Sequence, residues 1–288
     1  MHLTITECTS RPSGTLNEDR TGVCGPVAWV IDGATDVGDG PLAGATTDAA
    51  WIAGVIHNWL GRHAPTLGHD LAESLPAITA DARARFAAAQ RRAPVNRYEH
   101  PSAAGIIVRL RGASLDVLSL GDCTVLLDHG DGRVERLGTH HVDAPDITGA
   151  ANPATTPEAR GDNTSDTNWR SVLPRLRERR NMMNRADGYG VFSITDPPAR
   201  FIDSDSRSVA HGTRLLLASD GYMRLVDMFG CYTEATLLDE TFARGAAALL
   251  DELRAMETDA QLRRRIPRPK AHDDASVIAG IIVQNDQT

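Results

Sequence analysis

Lysine is almost absent from this chain. Of its 30 basic residues only Lys270 is a lysine, a bias that, with the abundance of alanine, points to a GC-rich coding genome and a bacterial source. A basic surplus is missing too: 38 acidic residues leave a formal net charge of −8, which argues against a general nucleic-acid binder, whose phosphate contacts need a basic footprint. The four cysteines, Cys8, Cys24, Cys123 and Cys231, lack the short paired spacing of zinc ligands or redox dithiols. They are also too few to staple a chain of this size, so they read as free, mostly buried thiols in a reducing compartment. No apolar run approaches the roughly 20 residues of a membrane helix, and the opening Met1-His2-Leu3-Thr4-Ile5-Thr6-Glu7 has no basic stretch followed by a long apolar one. The expectation is a soluble, cytoplasmic, monomeric protein without membrane or nucleic-acid partners.

What is present is ample material for a core: 288 residues, 41% of them hydrophobic. Apolar or β-branched runs bounded by turn residues fall at 3–9, 27–31, 104–110, 115–120, 124–128, 213–218 and 276–283, and predict strands. Between the second and third, Ile52, Val55, Ile56, Trp59 and Leu60, then Leu71, Leu75, Ile78, Ala82 and Phe86, recur at helical spacing. Residues 104–137 read as a meander with Gly- and Asp-containing turns, and another helix carries Leu249, Leu253 and Met256. Helical pairs flanking mainly antiparallel strands predict an α+β fold of helix, sheet, sheet and helix layers in one domain, 1–288. Residues 139–196 stand apart: an Asn/Thr/Asp/Ala/Pro-rich stretch, then an arginine-dense helical one over 169–185. So long an interruption predicts a mobile flap beside the site.

Four aspartates close apolar runs in short turns: Asp19 in Leu16-Asn17-Glu18-Asp19, Asp32 in Trp29-Val30-Ile31-Asp32-Gly33, Asp220 in Leu217-Ala218-Ser219-Asp220-Gly221, and Asp273 in His272-Asp273-Asp274-Ala275-Ser276. Gathered without a matching set of lysines and arginines they would repel one another unless cations neutralised them, and hard oxygen donors suit Mg²⁺ or Mn²⁺. Two such ions, roughly 3.5 to 4 Å apart, generate a hydroxide nucleophile near neutral pH and clamp phosphoryl oxygens. In that arrangement Asp32 bridges, the Gly33 carbonyl assists, Asp19 completes one ion, and Asp220 with Asp273 the other. Asp122, in Gly121-Asp122-Cys123, is a further candidate for a third, weaker ion.

Taken in order, Asn17-Glu18-Asp19, Asp32-Gly33, Gly121-Asp122, Ala218-Ser219-Asp220-Gly221 and Asp273-Asp274-Ala275-Ser276 resemble the motifs of the metal-dependent type 2C protein serine/threonine phosphatases, over nearly the whole chain. Any one of them is weak, and the ordered set is specific. The resemblance implies a four-layer α-β-β-α sandwich with two central, mainly antiparallel sheets. It also implies a binuclear Mn²⁺ or Mg²⁺ centre, and hydrolysis of phosphoserine and phosphothreonine by metal-activated water with no phosphoenzyme. The partners it implies are a phosphoprotein and a cognate serine/threonine kinase. Two departures accompany it. The arginine that the family places five residues before the first aspartate is Gly14 here, leaving Arg11, Arg20, or flap residues Arg175, Arg177, Arg179 and Arg180 to hold a phosphate. The histidine that animal members carry after Asp-Gly is missing from Asp32-Gly33-Ala34-Thr35-Asp36, leaving leaving-group protonation to a metal-bound water.

Each residue also has a plainer reading. A single Asp-Gly is more often a turn or helix cap than a ligand, and the arginine run is more often a solvated helix face. His140, His141 and His272 have no nucleophile motif beside them and read as structural or exposed. Glu18 and Asp274 read as outer or surface groups, and Cys123 as a small buried side chain. Two alternatives stay open beside a phosphoprotein phosphatase: a pseudophosphatase that binds a phosphoprotein or kinase without turnover, motivated by Gly14, and a phosphatase of small phosphate esters.

Overall fold

Alternation along the strands sorts the side chains into layers. The computed structural model describes residues 1–44, 46–138, 164–266, 268 and 270–285, with backbone alone over 164–170. In chain order the elements are β1 (His2–Arg11), β2 (Arg20–Cys24), β3 (Val27–Gly33), α1 (Asp48–His63), α2 (Leu75–Ala89), β4 (Ser102–Arg111), β5 (Ser114–Leu120), β6 (Thr124–Asp128), β7 (Val134–Leu137), α3 (Thr164–Arg180), β8 (Phe192–Ser193), β9 (Asp203–Ser208), β10 (Arg214–Ala218), α4 (Asp220–Asp227), α5 (Glu234–Arg244), α6 (Ala246–Thr258), α7 (Ala260–Arg265) and β11 (Ala275–Val283). One sheet runs β1-β11-β10-β6-β7 and the other β2-β3-β4-β5-β9, with the short β8 paired to β4. Neighbouring strands in both are antiparallel.

On β3, Val27, Trp29 and Ile31 face one way and pack with Ile52, Ile56, Trp59 and Leu60 of α1 and Ile78 and Phe86 of α2. Ala28 and Val30 face the other way and meet Val125, Leu215, Leu217 and Ile278 of the opposite sheet. Behind that sheet, Leu126, Leu216 and Val277 pack against Tyr222, Leu225, Leu237, Leu249 and Leu253 of α4, α5 and α6. Three apolar interlayers therefore hold four layers, helix, sheet, sheet, helix, as the patterning predicts. Each large aliphatic or aromatic side chain in them contributes about 1.5–3 kcal/mol.

The expected strands form with shifts of only a residue or two at their ends. Three further strands are not anticipated, β2, β9 and the two-residue β8. β2 is short and half exposed, and its Gly22 lies under the Trp29 ring, so no apolar run announces it. β9, Asp-Ser-Asp-Ser-Arg-Ser, has the composition of a loop, yet it pairs with β5 as a charged edge strand. The arginine-dense helix also differs from its expected span: α3 stops at Arg180 rather than 185. Beyond it Asn184 takes a φ of 51°, and its buried amide donates to the carbonyls of Val191 (3.0 Å) and Thr195 (2.7 Å), ending the helix in a fixed turn. The first part of the expected flap, 139–163 with His140 and His141, lies outside the described residues. The C-terminal turns of α3 are clamped: Arg177 donates to the Val37 carbonyl (2.7 Å) and Asp39 (2.9 Å), and the Asn181 side chain accepts from the Tyr98 amide (3.0 Å).

The cysteines depart from expectation. All four are free, but only Cys123 is buried, while Cys8 and Cys231 are exposed and Cys24 is intermediate. Cys8 sits on the exposed alternation of β1, and Cys231 in the short connection after α4, where no core reaches them.

Candidate metal and phosphate site

Strand ends and close backbone packing bring the aspartates together. Asp32 closes β3 and Asp220 opens α4 directly after β10, while Asp273 precedes β11. The turn before β2 holds Asp19: the Asn17 side chain accepts from the Asp19 amide (2.9 Å) and donates to Ser10 (2.7 Å), and the Arg20 guanidinium closes on the Asn17 and Asp19 carbonyls (2.8 and 2.6 Å). Asp274 is buried and accepts from the Ser13 and Glu18 amides, both at 2.5 Å. It therefore fastens the Asp19 turn to β11, the outer supporting role rather than the surface one of the two readings given above. Glu18 accepts from the Thr35 hydroxyl (2.8 Å) and steadies the loop after Asp32.

Two glycines permit the approach. A Cβ on Gly33 would stand 2.6 Å from the carbonyl oxygens of Glu18 and Ala49, and one on Gly221 would fall on the Asp274 carbonyl. Downstream, Asp36 accepts from the amides of Asp48 (2.9 Å) and Ala49 (3.2 Å) at the start of α1, so the loop bearing Gly33 and Thr35 is tied to that helix.

These elements surround a cavity of about 340 Å³ lined by Asp32, Gly33, Thr35, Asp122, Asp220 and Asp273 together with Arg179, Arg180 and Tyr189. Lys270 and Arg224 line it as well. Asp19 lies just behind this lining, 1% exposed, and among the described residues neither of its carboxylate oxygens has a hydrogen-bond partner. A buried acid in that state is held in its neutral form unless a cation comes to it. Burial, with the charges of Asp274 and Asp273, pushes Asp19 up to about 7 against the nearby Ser276 and Ser219 hydroxyls, which work to lower it. Burial and the charges of Asp273 and Asp122 do the same for Asp220, also to about 7. Asp32, within hydrogen-bond reach of Asp220, is likewise held well above the usual carboxylate range by burial and by Asp19, Asp220, Asp122 and Asp273 around it.

Asp273 behaves oppositely. Burial works to raise it, but the Lys270 ammonium and the Arg224 guanidinium outweigh that effect and hold it below the usual carboxylate range. Lys270 Nζ donates to Asp273 Oδ1 (3.0 Å), and Arg224 Nη2 donates to Oδ2 (2.6 Å). The expectation of acids without matching cations is therefore corrected at this one residue. Among the described residues, no group of three or more His, Cys, Asp or Glu side chains is arranged to hold an ion as it stands. In donor chemistry, the unpartnered Asp19 and the adjacent Asp32 and Asp220 fit a hard divalent ion; Asp273 fits one only by exchanging its present partners.

The expected phosphate-holding arginines divide. Arg179 and Arg180 line the cavity from the end of α3; Arg180 donates to the Thr35 carbonyl (3.0 Å) and Arg179 stacks over Tyr189, 5.5 Å from its ring centre. Arg11 pairs with Asp251 and Arg20 with backbone carbonyls, and neither is among the lining residues. Arg175 is exposed and Arg177 is occupied with Asp39. Asp122 lines the cavity and is exposed. His272 is structural, 3.2 Å from buried Glu257. Sequence reasoning missed Arg224 and the position of Lys270. For Arg224 a signal was present, since it follows Asp220 by one helical turn and so shares its face.

No protein-family model matches the chain, and no curated protein matches it in sequence. Solved structures do. The Mycobacterium tuberculosis serine/threonine phosphatase PstP/Ppp superposes with a TM-score of 0.59 at 13% identity, over 99% of this chain and 100% of that one. The catalytic domain of PstP in complex with two manganese ions gives 0.54 at 16% identity, over 98% and 99%. Staphylococcus aureus Stp1, a serine/threonine phosphatase, gives 0.55 at 13% identity, over 96% and 94%. The architecture is a two-sheet α/β sandwich, and the fold is that of the type 2C serine/threonine phosphatases, mostly bacterial among these structures.

Proposed function

We propose that this chain hydrolyses phosphoserine and phosphothreonine in proteins with the help of bound Mn²⁺ or Mg²⁺. The observation that carries the reading is the buried Asp19 carboxylate, without a hydrogen-bond partner among the described residues, next to Asp32 and Asp220 of a cavity that Arg179 and Arg180 also line. Asp19, Asp32, the Gly33 carbonyl and Asp220 would hold the metal, with Asp273 and Asp122 at its margin. A bound divalent ion supplies a water ionisable near neutral pH and offsets charge on the phosphoryl group. Arg179 and Arg180 orient the phosphate in place of the arginine missing at Gly14, with planar donors suited to paired oxygens. A cavity of about 340 Å³, open to solvent, admits a phosphorylated side chain displayed on a protein. In this reading a serine/threonine kinase supplies the substrate, and the four free cysteines agree with a cytoplasmic setting.

The test is hydrolysis of p-nitrophenyl phosphate and of a phosphothreonine peptide with Mn²⁺, Mg²⁺ or EDTA, wild type beside Asp220→Ala and Asp32→Asn. Activity that needs metal and is lost in both variants is expected. Full activity in Asp32→Asn, or turnover in EDTA, overturns the reading. Binding without turnover is the second reading, favoured by the cations already seated on Asp273. It predicts tight phosphopeptide binding with no hydrolysis in any metal.

A further inference from the structure

The one lysine in the chain stands inside the acidic site. Lys270 Nζ reaches Asp273 Oδ1 at 3.0 Å and the Thr35 hydroxyl at 2.5 Å, and the side chain lines the cavity shared by Asp32 and Asp220. With Arg224 on the other oxygen, both Asp273 oxygens are engaged by cations. The two cations are held differently. Arg224 is gripped from behind: its Nη1 donates to Glu257 at 2.6 Å, and Glu257, with 0% of its side chain exposed, is also paired to Arg254 (2.5 Å) and His272 (3.2 Å). Moving Arg224 would strip a buried carboxylate of a partner, which is strongly unfavourable. Lys270 has 30% of its side chain exposed and, among the described residues, no ion pair other than that with Asp273.

An ammonium is a compact point charge on a flexible stem, and it approaches a carboxylate as a small cation does; a guanidinium is a planar fork that does not substitute for an ion in this way. We propose that Lys270 is a built-in second cation of this site, so that the chain takes one divalent ion tightly, at Asp19, Asp32 and Asp220, and the place beside Asp273 is filled by the lysine. This rests on the metal-dependent reading above. It departs from the two-ion arrangement that the motif order implies. The Thr35 contact adds a second anchor, on the loop fixed to α1 through Asp36, so the ammonium is held by two separate segments of the chain.

The test counts ions rather than turnover. Full-length wild type, Lys270→Met and Lys270→Arg are stripped of metal. Mn²⁺ is then titrated by calorimetry, and the protein-bound metal is counted after desalting. One tight ion is expected for wild type and also for Lys270→Arg, because a guanidinium, though it does not mimic a small ion, still repels a second one by its charge. For Lys270→Met a second ion is expected, or one whose dissociation constant falls at least tenfold. Two equally tight ions in wild type, with no change in Lys270→Met, overturn the proposal and leave the metal-dependent reading standing. A single ion in all three proteins also overturns it, since the lysine then excludes nothing. Absence of any bound ion in wild type overturns both. Should Lys270→Met fail to fold, wild-type stoichiometry together with Lys270→Gln decides between the same outcomes.

Discussion

Replacing Asp19 by Asn should make the metal-free protein insensitive to a pH change that weakens the wild type. The carboxyl is 1% exposed, has no hydrogen-bond partner among the described residues, and titrates at about 7 in the fold against an ordinary value of 3.8. A carboxyl raised in the folded state favours folding while protonated. Its contribution is therefore fully present below about pH 4 and is lost as pH rises through about 7. Ionising it in the fold costs about 4 kcal/mol by about pH 8, of which about 2 kcal/mol is already lost at about pH 5, leaving roughly 2–3 kcal/mol between those conditions. Because Asp32 and Asp220 share the charge, that figure belongs to the cluster, and removing one member recovers at most this much. The assay is thermal unfolding in EDTA at both pH values. Wild type should lose several degrees relative to Asp19→Asn on going to the higher pH, since roughly 2–4 °C accompany each kcal/mol in a protein of this size. Mn²⁺ should then raise the wild-type midpoint and leave the variant unmoved. A gap between the two proteins that stays constant with pH in EDTA would refute the reasoning, because the carboxyl would then not be titrating in the fold.

Other outcomes follow from single contacts. Arg180→Met removes a cavity-lining guanidinium and its bond to the Thr35 carbonyl, and should raise KM for a phosphothreonine peptide about tenfold, an increment near 1.4 kcal/mol, with a much smaller change in kcat. Gly221→Ala drives a Cβ onto the Asp274 carbonyl and should destabilise by about 1–3 kcal/mol in a urea melt, through overpacking rather than lost charge. Arg109→Met leaves the buried Asp116 short of a partner and strips donors from the Leu67, Gly68 and His69 carbonyls. It should cost about 3–5 kcal/mol, read as a lowered unfolding midpoint; a change under about 1 kcal/mol would mean the remaining Arg111 contact suffices.

The layered fold was legible because its strands are announced by period-two apolar runs and its main helices by 3.6-residue spacing, and burial enforces both periods. β2 and β9 were not legible because each is held by backbone pairing to a neighbour rather than by apolar side chains of its own. At the site, local turn chemistry marked the positions of Asp32, Asp220 and Asp273, and those three do line one cavity. What sequence spacing could not convey is that Lys270 and Arg224 would converge on Asp273. Their meeting depends on the packing of α4 against α6 and on the path of the chain between α7 and β11. The rarity of lysine was visible and was read as codon bias; only the fold gives that residue a place. Glu257, buried among Arg224, Arg254 and His272, was likewise hidden, since a glutamate near the end of a helix ordinarily reads as surface.

β11 lies between β1 and β10, so the first strand of the chain and the tenth do not pair with one another and are joined in one sheet only through the eleventh. The peptide entering β11 carries Asp273, Asp274 and Ser276, which bring the Asp19 turn and the start of α4 into register. During synthesis, then, a chain that has not passed residue 283 can build much of the β2-β3-β4-β5 sheet yet has no assembled acidic centre. Closing the other sheet requires contact between the two ends of the described chain, a high-contact-order step that comes late and slowly. The acidic centre is therefore assembled only once β11 is in place between β1 and β10.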